Sequence, residues 1–418
     1  MNLRADDRVE AGALATASAA NKAAVILMGT AMAVYIGRRA SPLAVGLVYT
    51  VYWFGTMTFS PVWGAVADVT GRRRAVLVST AVLATLAALP LIVVRNVWGS
   101  LALRGLFAVF AAGFLPVILA IVSERGGSSA RGRELGFFNT ARAVGLTAGQ
   151  LFAGILLGLL APPGLFLVVV GVAGAVAVAA VLVDDPTPTP STAPTRDELL
   201  AEVRRRLLPS AGDRDLSTHG LRWMYLGVFL RNATVLGIGS LLPVYLVSTL
   251  GVSEFVMGVL LAVNPGAQVI FMYLLGRAAD AVGRKPLVVA GMAGSGLHGL
   301  IMAAAVLPGS EPVRAGVAAV AFLTLAASWS ALFTGSVAFI GDVADADRES
   351  ELMGLRETAR GLGGVLGPTL FGLVATFAGY PLTFAGGSLL AVAAAGVVAA
   401  GLVESHPERT PDPVPCDD

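Results

Sequence analysis

The sequence has little charge and almost no cysteine. Only 13% of its 418 residues are charged, against roughly 25% in an ordinary soluble domain. The single cysteine, Cys416, excludes a disulfide framework, and three widely separated histidines give no metal-ligand spacing. The net charge of +2 provides no broad basic field for nucleic acid. We therefore expect no metal site, no cofactor and no nucleic-acid partner.

Apolar residues, in contrast, are abundant. They make up 56% of the chain, and the mean hydropathy is +0.78. A soluble protein of this length cannot bury so much apolar surface, because its own surface must be largely polar. These proportions exclude a cytosolic enzyme and a disordered chain, and they indicate a protein whose solvent is mostly lipid.

The apolar residues fall into twelve continuous runs, most of them near or above the ~20 residues that a helix needs to cross a bilayer. Continuous rather than alternating runs favour helices over a β-barrel. Span 1 is short, and its helix is expected to begin nearer Ala11 or Ala13. Spans 1 to 12 are predicted at 23–37, 42–66, 75–94, 97–122, 135–160, 164–183, 223–249, 253–275, 287–307, 313–341, 352–377 and 381–403.

Lysine and arginine are distributed unevenly between the connections. If both termini lie on the inner face, 20 basic residues are inside, 4 are outside and 5 lie within spans. Basic connections stay in the cytoplasm. This bias predicts a multi-pass protein of the plasma membrane, surrounded by lipid, with both termini cytoplasmic.

The connection after span 6 is long. It opens with four prolines and continues as RDELLAEVRRRLL at 196–208, which favours an extended linker followed by a short amphipathic helix. That helix rests either on anionic lipid or in solvent. We divide the chain into an N-terminal bundle (1–183), a cytoplasmic linker (184–222), a C-terminal bundle (223–403) and a cytoplasmic tail (404–418).

The two halves repeat each other. GAVADVTGRRR begins at Gly64 and GRAADAVGRKP at Gly276, an offset of 212. TARAVGLTAGQLFAG begins at Thr140 and TARGLGGVLGPTLFG at Thr358, an offset of 218. Two matching blocks in the same order indicate parallel repeats, a standard transporter architecture. The sequence therefore predicts an all-α integral membrane protein with twelve transmembrane helices in two pseudo-symmetric six-helix bundles.

The doubled loop G-x-x-x-D-x-x-G-R-R/K, between spans 2 and 3 and again between spans 8 and 9, resembles the signature loop of the major facilitator superfamily. The resemblance covers the whole chain. The family often has Arg directly after the Asp, where this chain has Val69 and Ala281. The resemblance implies a secondary transporter that works by alternating access, and not an enzyme.

The signature loops predict a gate at the inner rim. Gly64 and Gly276 lack side chains, which would let span 2 approach span 11 and span 8 approach span 5. Gly71 and Gly283 permit tight turns. The remaining residues of the predicted gate are charged: Asp68, Arg72, Arg73, Glu124, Asp280, Arg284, Lys285 and Asp342.

Asp68 and Asp280 would each face the positive end of a helix in the opposite half, a contact that in the family helps to hold the outward-facing state. Arg72 and Arg284 would then pair with acidic groups at the inner ends of spans 4 and 10, Glu124 and Asp342. The alternative is that the basic residues act only as topology signals.

Arg104 lies in span 4, seven residues from its outer end, which is about 10 Å deep. An ionisable group at this depth is costly and usually faces a cavity. Arg104 resembles the span-4 arginine that drug/proton antiporters of the family use in proton coupling. The alternative is an arginine that snorkels to the outer interface.

Three further arginines lie roughly 10–12 Å from the inner ends of spans 5, 7 and 11. Arg142 and Arg360 are repeat equivalents, which favours an interdomain lock with Asp280 and Asp68 over a basic cavity for an anionic substrate. Arg231 has no equivalent and is the better cavity candidate.

Other polar and aromatic side chains complete the predicted cavity. Asn232 neighbours Arg231, and Glu357 lies one turn from Arg360 and can pair with it. The predicted walls are Tyr49, Tyr52, Trp53, Asn139, Gln150, Asn232, Tyr245, Asn264, Gln268 and Trp329.

Glycines at i, i+4 and i+9 predict a close-packed face on spans 5 and 11. They are Gly145, Gly149 and Gly154 in span 5, and Gly363, Gly367 and Gly372 in span 11. The pattern resembles the family's antiporter motif. Its Gly-Pro pair occurs only at Gly367-Pro368, where Pro368 is expected to bend span 11, while Gln150 takes the proline position in span 5.

No Asp or Glu lies near the middle of a span, so the sequence does not identify a proton carrier. We expect a monomeric secondary transporter that exports small amphiphilic compounds, with a small-molecule substrate and a coupling proton or ion as partners. One alternative is uptake or exchange of a small organic anion, because five basic residues against one acidic residue lie inside the spans. The alternatives from another class are a membrane-embedded enzyme and a sensor. An enzyme would need clustered catalytic groups, and a sensor would normally carry an added soluble domain. We identify neither feature in the sequence.

Overall fold

The structure is a computed structural model that describes residues 5–185, 195–207, 216, 218–344 and 348–405. It describes only the backbone for residues 5–9, 126–131, 278–281 and 350. Within these ranges, every regular element is helical.

The N-terminal half contains spans 1 to 6 in chain order. Their helices are Ala5–Gly37, Pro42–Thr70, Arg73–Ala88 with a 3-10 turn at Leu89–Ile92, Val97–Ala111, Phe114–Leu159 and Pro162–Val181. Helix Phe114–Leu159 contains the inner part of span 4 and all of span 5. Span 1 begins before the predicted Ala11 or Ala13, and its apolar helix runs from Glu10 to Gly37.

The C-terminal half contains spans 7 to 12, preceded by the linker helix Arg196–Leu207. Its helices are Leu221–Val244 with a π-turn at Tyr245–Thr249, Glu254–Val282, Arg284–Ala304, Glu311–Val343 and Glu349–Gly401.

Eleven helices in the described part of the chain are long and apolar enough to cross a membrane. The last covers 51 residues, far more than one crossing needs. It is broken at Gly379, where φ is 74° and ψ is 170°, a conformation that glycine adopts readily. The break separates spans 11 and 12, which confirms twelve membrane helices.

The predicted glycine faces pack each half onto its own first helix. Gly145 and Gly149 lie against span 1 at Ala19 and Ala23, and a Cβ at Gly145 would collide with the Ala19 backbone. The equivalent residues of the second half, Gly363 and Gly367, lie against span 7, which is the equivalent of span 1. This agreement makes the sequence repeat a structural repeat.

The third glycine of each face contacts the opposite half. Gly154 in span 5 lies against Gly258 in span 8, and Gly372 in span 11 lies against Pro42 and Leu43 in span 2. Spans 2 and 8 are repeat equivalents. The two bundles therefore meet through two related helix pairs, 2 with 11 and 5 with 8.

Carboxylates bind the inner ends of spans 3 and 9. Asp185, after span 6, accepts from the backbone N–H of Arg74 at 3.1 Å. Glu404, after span 12, accepts from the backbone N–H groups of Arg284 at 3.0 Å and Lys285 at 3.1 Å. These N–H groups have no partner within their own helices, so each half closes on its last span in the same way.

Candidate functional site

Contacts between the halves close the outer face. Arg38 and Glu254 form an ion pair of 2.5 Å between Nη2 and Oε1. The backbone N–H of Leu43 donates to Thr376 Oγ1 at 3.3 Å. Both contacts join outer ends of spans from opposite halves.

The contact between spans 2 and 11 continues inward along one helical stripe. Thr50 Oγ1 donates to the Val365 carbonyl at 3.1 Å and lies 2.8 Å from Thr369 Oγ1. At the inner limit of this stripe, the space beside Gly361 is taken by Met57. The described hydrogen bonds between the halves all lie on the outer side of this level.

Further inward, charged side chains are exposed. The exposed fractions are 38% for Arg360 and 53% for Glu357. On the predicted topology, which places the signature loops on the inner face, this arrangement is inward-facing.

Asp68 is bound, but not by the opposite half. Its Oδ1 accepts from Arg73 Nη2 at 2.9 Å and its Oδ2 accepts from Arg206 Nη2 at 2.9 Å. Arg206 belongs to the linker helix and fills the space beside Gly64. The contact of Asp68 with the opposite half, predicted for the outward-facing state, is not formed in this conformation and stays a prediction.

The two signature glycines do not bring helices of opposite halves together here. Gly64 faces Arg206 and Pro116, and no atom lies within 4 Å of a Cβ built at Gly276. The close approach of the halves occurs nearer the outer face, at Gly46 and Gly154. The predicted close approach of the halves at Gly64 and Gly276 is not formed here, because the inner ends are apart, and it stays a prediction for the closed inner gate.

The partner of Glu124 is the residue after the predicted one. Arg73, not Arg72, donates to Glu124 at 2.5 Å, while Arg72 is exposed. Gly71 adopts the left-handed conformation with φ 60° and ends span 2, so the next helix starts only at Arg73. Arg72 thus lies in the turn, where its side chain cannot reach Glu124.

The equivalent pair in the second half is the predicted one. Arg284 Nε donates to Asp342 Oδ2 at 2.9 Å. Gly283 has φ 92° and ψ 171°, and span 9 begins at Arg284 itself. The two turns therefore differ by one residue. The side chain of Asp280 lies outside the described residues, so its predicted role stays a prediction.

Arg104 is buried, with an exposed fraction of 1%. Its Nη2 donates to the Val25 carbonyl at 3.3 Å, and its guanidinium lies 4.6 Å from the centre of the Tyr52 ring. Nε and Nη1 have no hydrogen-bond partner among the described atoms. The snorkelling alternative is wrong, because the side chain points into the protein. Tyr49 lies beside it, near Gly29.

Lys22, Arg142 and Arg360 form a basic cluster near the inner side of the interface between the halves. Arg142 and Arg360 both act on Lys22 as neighbouring like charges. The guanidinium of Arg360 lies 5.3 Å from the centre of the Trp53 ring. The Arg360 side chain binds Glu357 at 3.4 Å and not Asp68, so that half of the predicted lock is wrong here.

Lys22 is absent from the predicted site because it lies one residue before the predicted span 1 at 23–37. The signal that could have found it was the shortness of that span. Once the helix is extended to Glu10, Lys22 lies near its middle and faces Arg142.

Arg231 is 2% exposed and packs within the C-terminal half. Its Nε donates to Ser295 Oγ at 2.8 Å and its Nη1 to Asn232 Oδ1 at 3.4 Å. Asn232 in turn donates to the Val228 carbonyl at 2.8 Å. Nη2 has no described partner, so one donor of this buried cation remains available.

Arg356 was not predicted as a site residue, but it lies in the same region. It donates to Ser336 Oγ at 2.9 Å and to Glu357 at 2.7 Å, and it lies over the Phe333 ring at 5.3 Å. Trp329 stacks on Phe333 with ring centres 5.0 Å apart.

The predicted wall residues have different environments. Gln150 accepts from Thr30 Oγ1 at 3.0 Å, and Gln268 donates to Asn264. Tyr245 is fully buried near the outer end of span 7, where its hydroxyl donates to the Met302 carbonyl at 2.8 Å and its ring packs on Phe384. Tyr245 as a cavity wall is therefore wrong, because its side chain is buried in the core.

Comparisons with known proteins agree with this architecture. The profile of the Major Facilitator Superfamily matches residues 12–263 and 224–415. The chain is 27% identical over 365 residues to the multi-drug resistance efflux pump PmrA of Streptococcus pneumoniae serotype 4 (strain ATCC BAA-334 / TIGR4), covering 85% of each protein. It is 32% identical over 159 residues to the class H tetracycline resistance protein of Pasteurella multocida, covering 36% of this chain and 37% of that protein.

A solved structure with a similar fold is the inward-facing, occupied form of a bacterial homologue of the human lysosomal transporter Spinster. Its TM-score is 0.75 at 16% identity, covering 96% of this chain and 97% of that one. The profile match, twelve spans and doubled signature loop lead to one conclusion: the chain belongs to the Major Facilitator Superfamily, and it is a multi-pass membrane transporter rather than an enzyme.

Proposed function

We propose that the protein exports small amphiphilic compounds from the cytoplasm by alternating access. The observation that carries the proposal is an outer seal above an inner region where aromatic and charged side chains of both repeats meet. The efflux and resistance proteins that the chain resembles support export over uptake. We assign the inner face, with both termini, to the cytoplasm of the plasma membrane, and we expect a monomer.

In the transport cycle that we propose, the two bundles rock about the central site. The outer contacts, Arg38 with Glu254 and Thr50 with Val365, break. The inner ends of spans 2 and 11 then approach, and Gly64 becomes a contact between the halves. Asp68 and its equivalent Asp280 would then face helix N-termini of the opposite half, where a carboxylate is stabilised.

We propose that Arg104 couples substrate movement to a proton or ion. It is the buried cation nearest the aromatic side chains of span 2, and two of its donor atoms have no described protein partner. A cation in such surroundings is costly unless a ligand or ion compensates it. Its charge therefore responds to what occupies the site.

The test is export of a fluorescent amphiphile from cells that lack their own efflux pumps. We expect lower dye accumulation in cells that express the chain, and restored accumulation for Asp68→Asn when that variant is inserted normally. Arg133→Gln is the matched control, since Arg133 is 66% exposed and, among the described residues, forms an ion pair with its neighbour Glu134. Equal dye levels in expressing and empty cells would contradict export.

A further inference from the structure

Several basic side chains inside the membrane spans lack a balancing carboxylate. Lys22, Arg104, Arg142 and Arg231 have no described acidic partner. Glu357 is the one acidic residue more than a turn inside a span. It is already shared by Arg356 and Arg360, at 2.7 and 3.4 Å. The interior therefore carries an excess of positive charge.

Part of this excess is concentrated where the two halves meet. Lys22 comes from span 1, Arg142 from span 5 and Arg360 from span 11, and the last two both repel Lys22. Tyr52 lies within electrostatic reach of Arg142 and Arg360. The cluster thus contains residues of both bundles. An alternating-access transporter holds its substrate between its two bundles.

Close packing of spans 1 and 5 holds together the helices that carry Lys22 and Arg142. Gly145 and Gly149 press span 5 against span 1 at Ala19 and Ala23. These contacts flank Lys22 in the sequence and hold span 1 against span 5, the helix that carries Arg142. Neighbouring like charges repel one another, and an anion placed among them would remove that repulsion.

An apolar surface adjoins the cluster. The Arg360 guanidinium lies over the Trp53 ring, and Tyr52 packs edge-on against Trp53 with ring centres 6.3 Å apart. Aromatic rings provide a large apolar contact with little loss of side-chain freedom. The site therefore combines basic side chains that can bind an anionic group with aromatic rings that can bind an apolar group.

We propose that the substrates of this transporter are amphiphilic organic anions, with the anionic group bound among Lys22, Arg142 and Arg360 and the apolar part on Tyr52 and Trp53. This inference rests on the proposed export function and names its substrate class. It excludes lipophilic cations, which the cluster would repel.

The experiment compares three aromatic probes of similar size that differ in charge: naphthaleneacetate, its neutral amide and naphthylmethylammonium. Thermal stabilisation is measured on the full-length protein in phosphatidylcholine nanodiscs, because a ligand stabilises the fold to which it binds. Export of each probe is measured with inside-out proteoliposomes. We expect stabilisation and transport of the carboxylate, and neither for the cation.

Substitutions then locate the site. Lys22→Gln, Arg142→Gln and Arg360→Gln should each weaken carboxylate binding about tenfold or more, as expected for loss of a charged hydrogen-bond donor. Arg133→Gln removes the same charge from an exposed position of helix Phe114–Leu159 and should leave binding unchanged. The melting temperature without probe shows whether each variant is folded, and any single folded variant suffices for the test.

The outcomes separate this inference from the proposed function. Transport of the cation or amide with no response to the carboxylate would overturn the anion assignment and leave export intact. No transport of any probe would contradict both. Loss of carboxylate stabilisation when phosphatidylglycerol is added to the nanodiscs would show that a lipid headgroup occupies the cluster, which also overturns the assignment.

Discussion

Arg206 of the linker helix donates from Nη2 to Asp68 Oδ2 over 2.9 Å, at the inner end of span 2. Its Nε donates to Glu202 Oε1 at 2.6 Å, which fixes it from the opposite direction. The Asp68 carboxylate that the sequence assigns to the outward-facing gate is therefore held by the linker in the inward-facing state. On this account, the linker helix and the opposite bundle compete for one carboxylate.

Replacing Arg206 should shift the protein toward the outward-facing state. Both side chains are partly exposed, at 28% and 38%, so the ion pair is worth only about 0.5–1 kcal/mol. We expect Arg206→Gln to raise the outward-facing population about two- to fivefold, measured by thiol labelling of a cysteine at Thr50, which lies in the outer seal and already carries a side chain. Arg204→Gln, on an exposed position of the same helix, is the control, and an equal shift in both variants would contradict a specific role for Arg206.

The linker contact should not respond to physiological changes in pH. Hydrogen bonds from Arg205 and Arg206 lower the pKa of Glu202 to about 2. A carboxyl group with a lowered pKa contributes its stabilisation above its ordinary pKa and loses it only as the pH falls through the lowered value. Linker docking, followed by fluorescence of a probe at Leu207, should stay constant between about pH 8 and pH 5. A transition within that window would show that another group controls docking.

A side chain at Gly154 should prevent closure of the outer face. A Cβ there would overlap the Glu254 carbonyl and the Gly258 backbone of span 8. Overpacking costs about 1–3 kcal/mol, so Gly154→Val should lower the inward-facing population about tenfold and reduce export to match. Gly158→Val, one turn away in open space, should change neither. Normal export by Gly154→Val would contradict the assigned outer seal.

Tyr245 should matter for stability and not for substrate. Its buried hydroxyl donates to the Met302 carbonyl, a neutral hydrogen bond worth about 1 kcal/mol. Tyr245→Phe should lower the melting temperature slightly and leave the export rate and probe selectivity unchanged. A changed selectivity with an unchanged melting temperature would return Tyr245 to the substrate site.

Features that depend on local pattern could be predicted from the sequence. The length of the apolar runs specifies the twelve spans, and the glycine spacing on spans 5 and 11 specifies the faces that pack on spans 1 and 7. The pairing of Arg284 with Asp342 follows from the signature loop, because the turn at Gly283 leads directly into a helix.

Features that depend on one-residue register or on packing between distant segments could not be predicted. Arg73 replaces Arg72 at Glu124 because the left-handed turn at Gly71 uses one more residue than its equivalent. Arg206 reaches Asp68 only because the linker helix packs on span 2, and linker composition does not encode that contact. Tyr245 is buried because Phe384 of span 12 packs on its ring, a contact between distant segments.

In the proposed transport cycle, the two bundles alternate between an outer and an inner closure. The most direct measurement uses pairs of spin labels in a Cys416→Ser background, one pair at Ser41 and Ala378 on the outer side and one at Arg133 and Arg277 on the inner side. Distances are recorded with and without an exported dye. We expect a short outer and a long inner distance without dye. With dye, we expect a second population in which the outer distance is long and the inner distance is short. Distances that stay fixed, or that lengthen together on both sides, would contradict it.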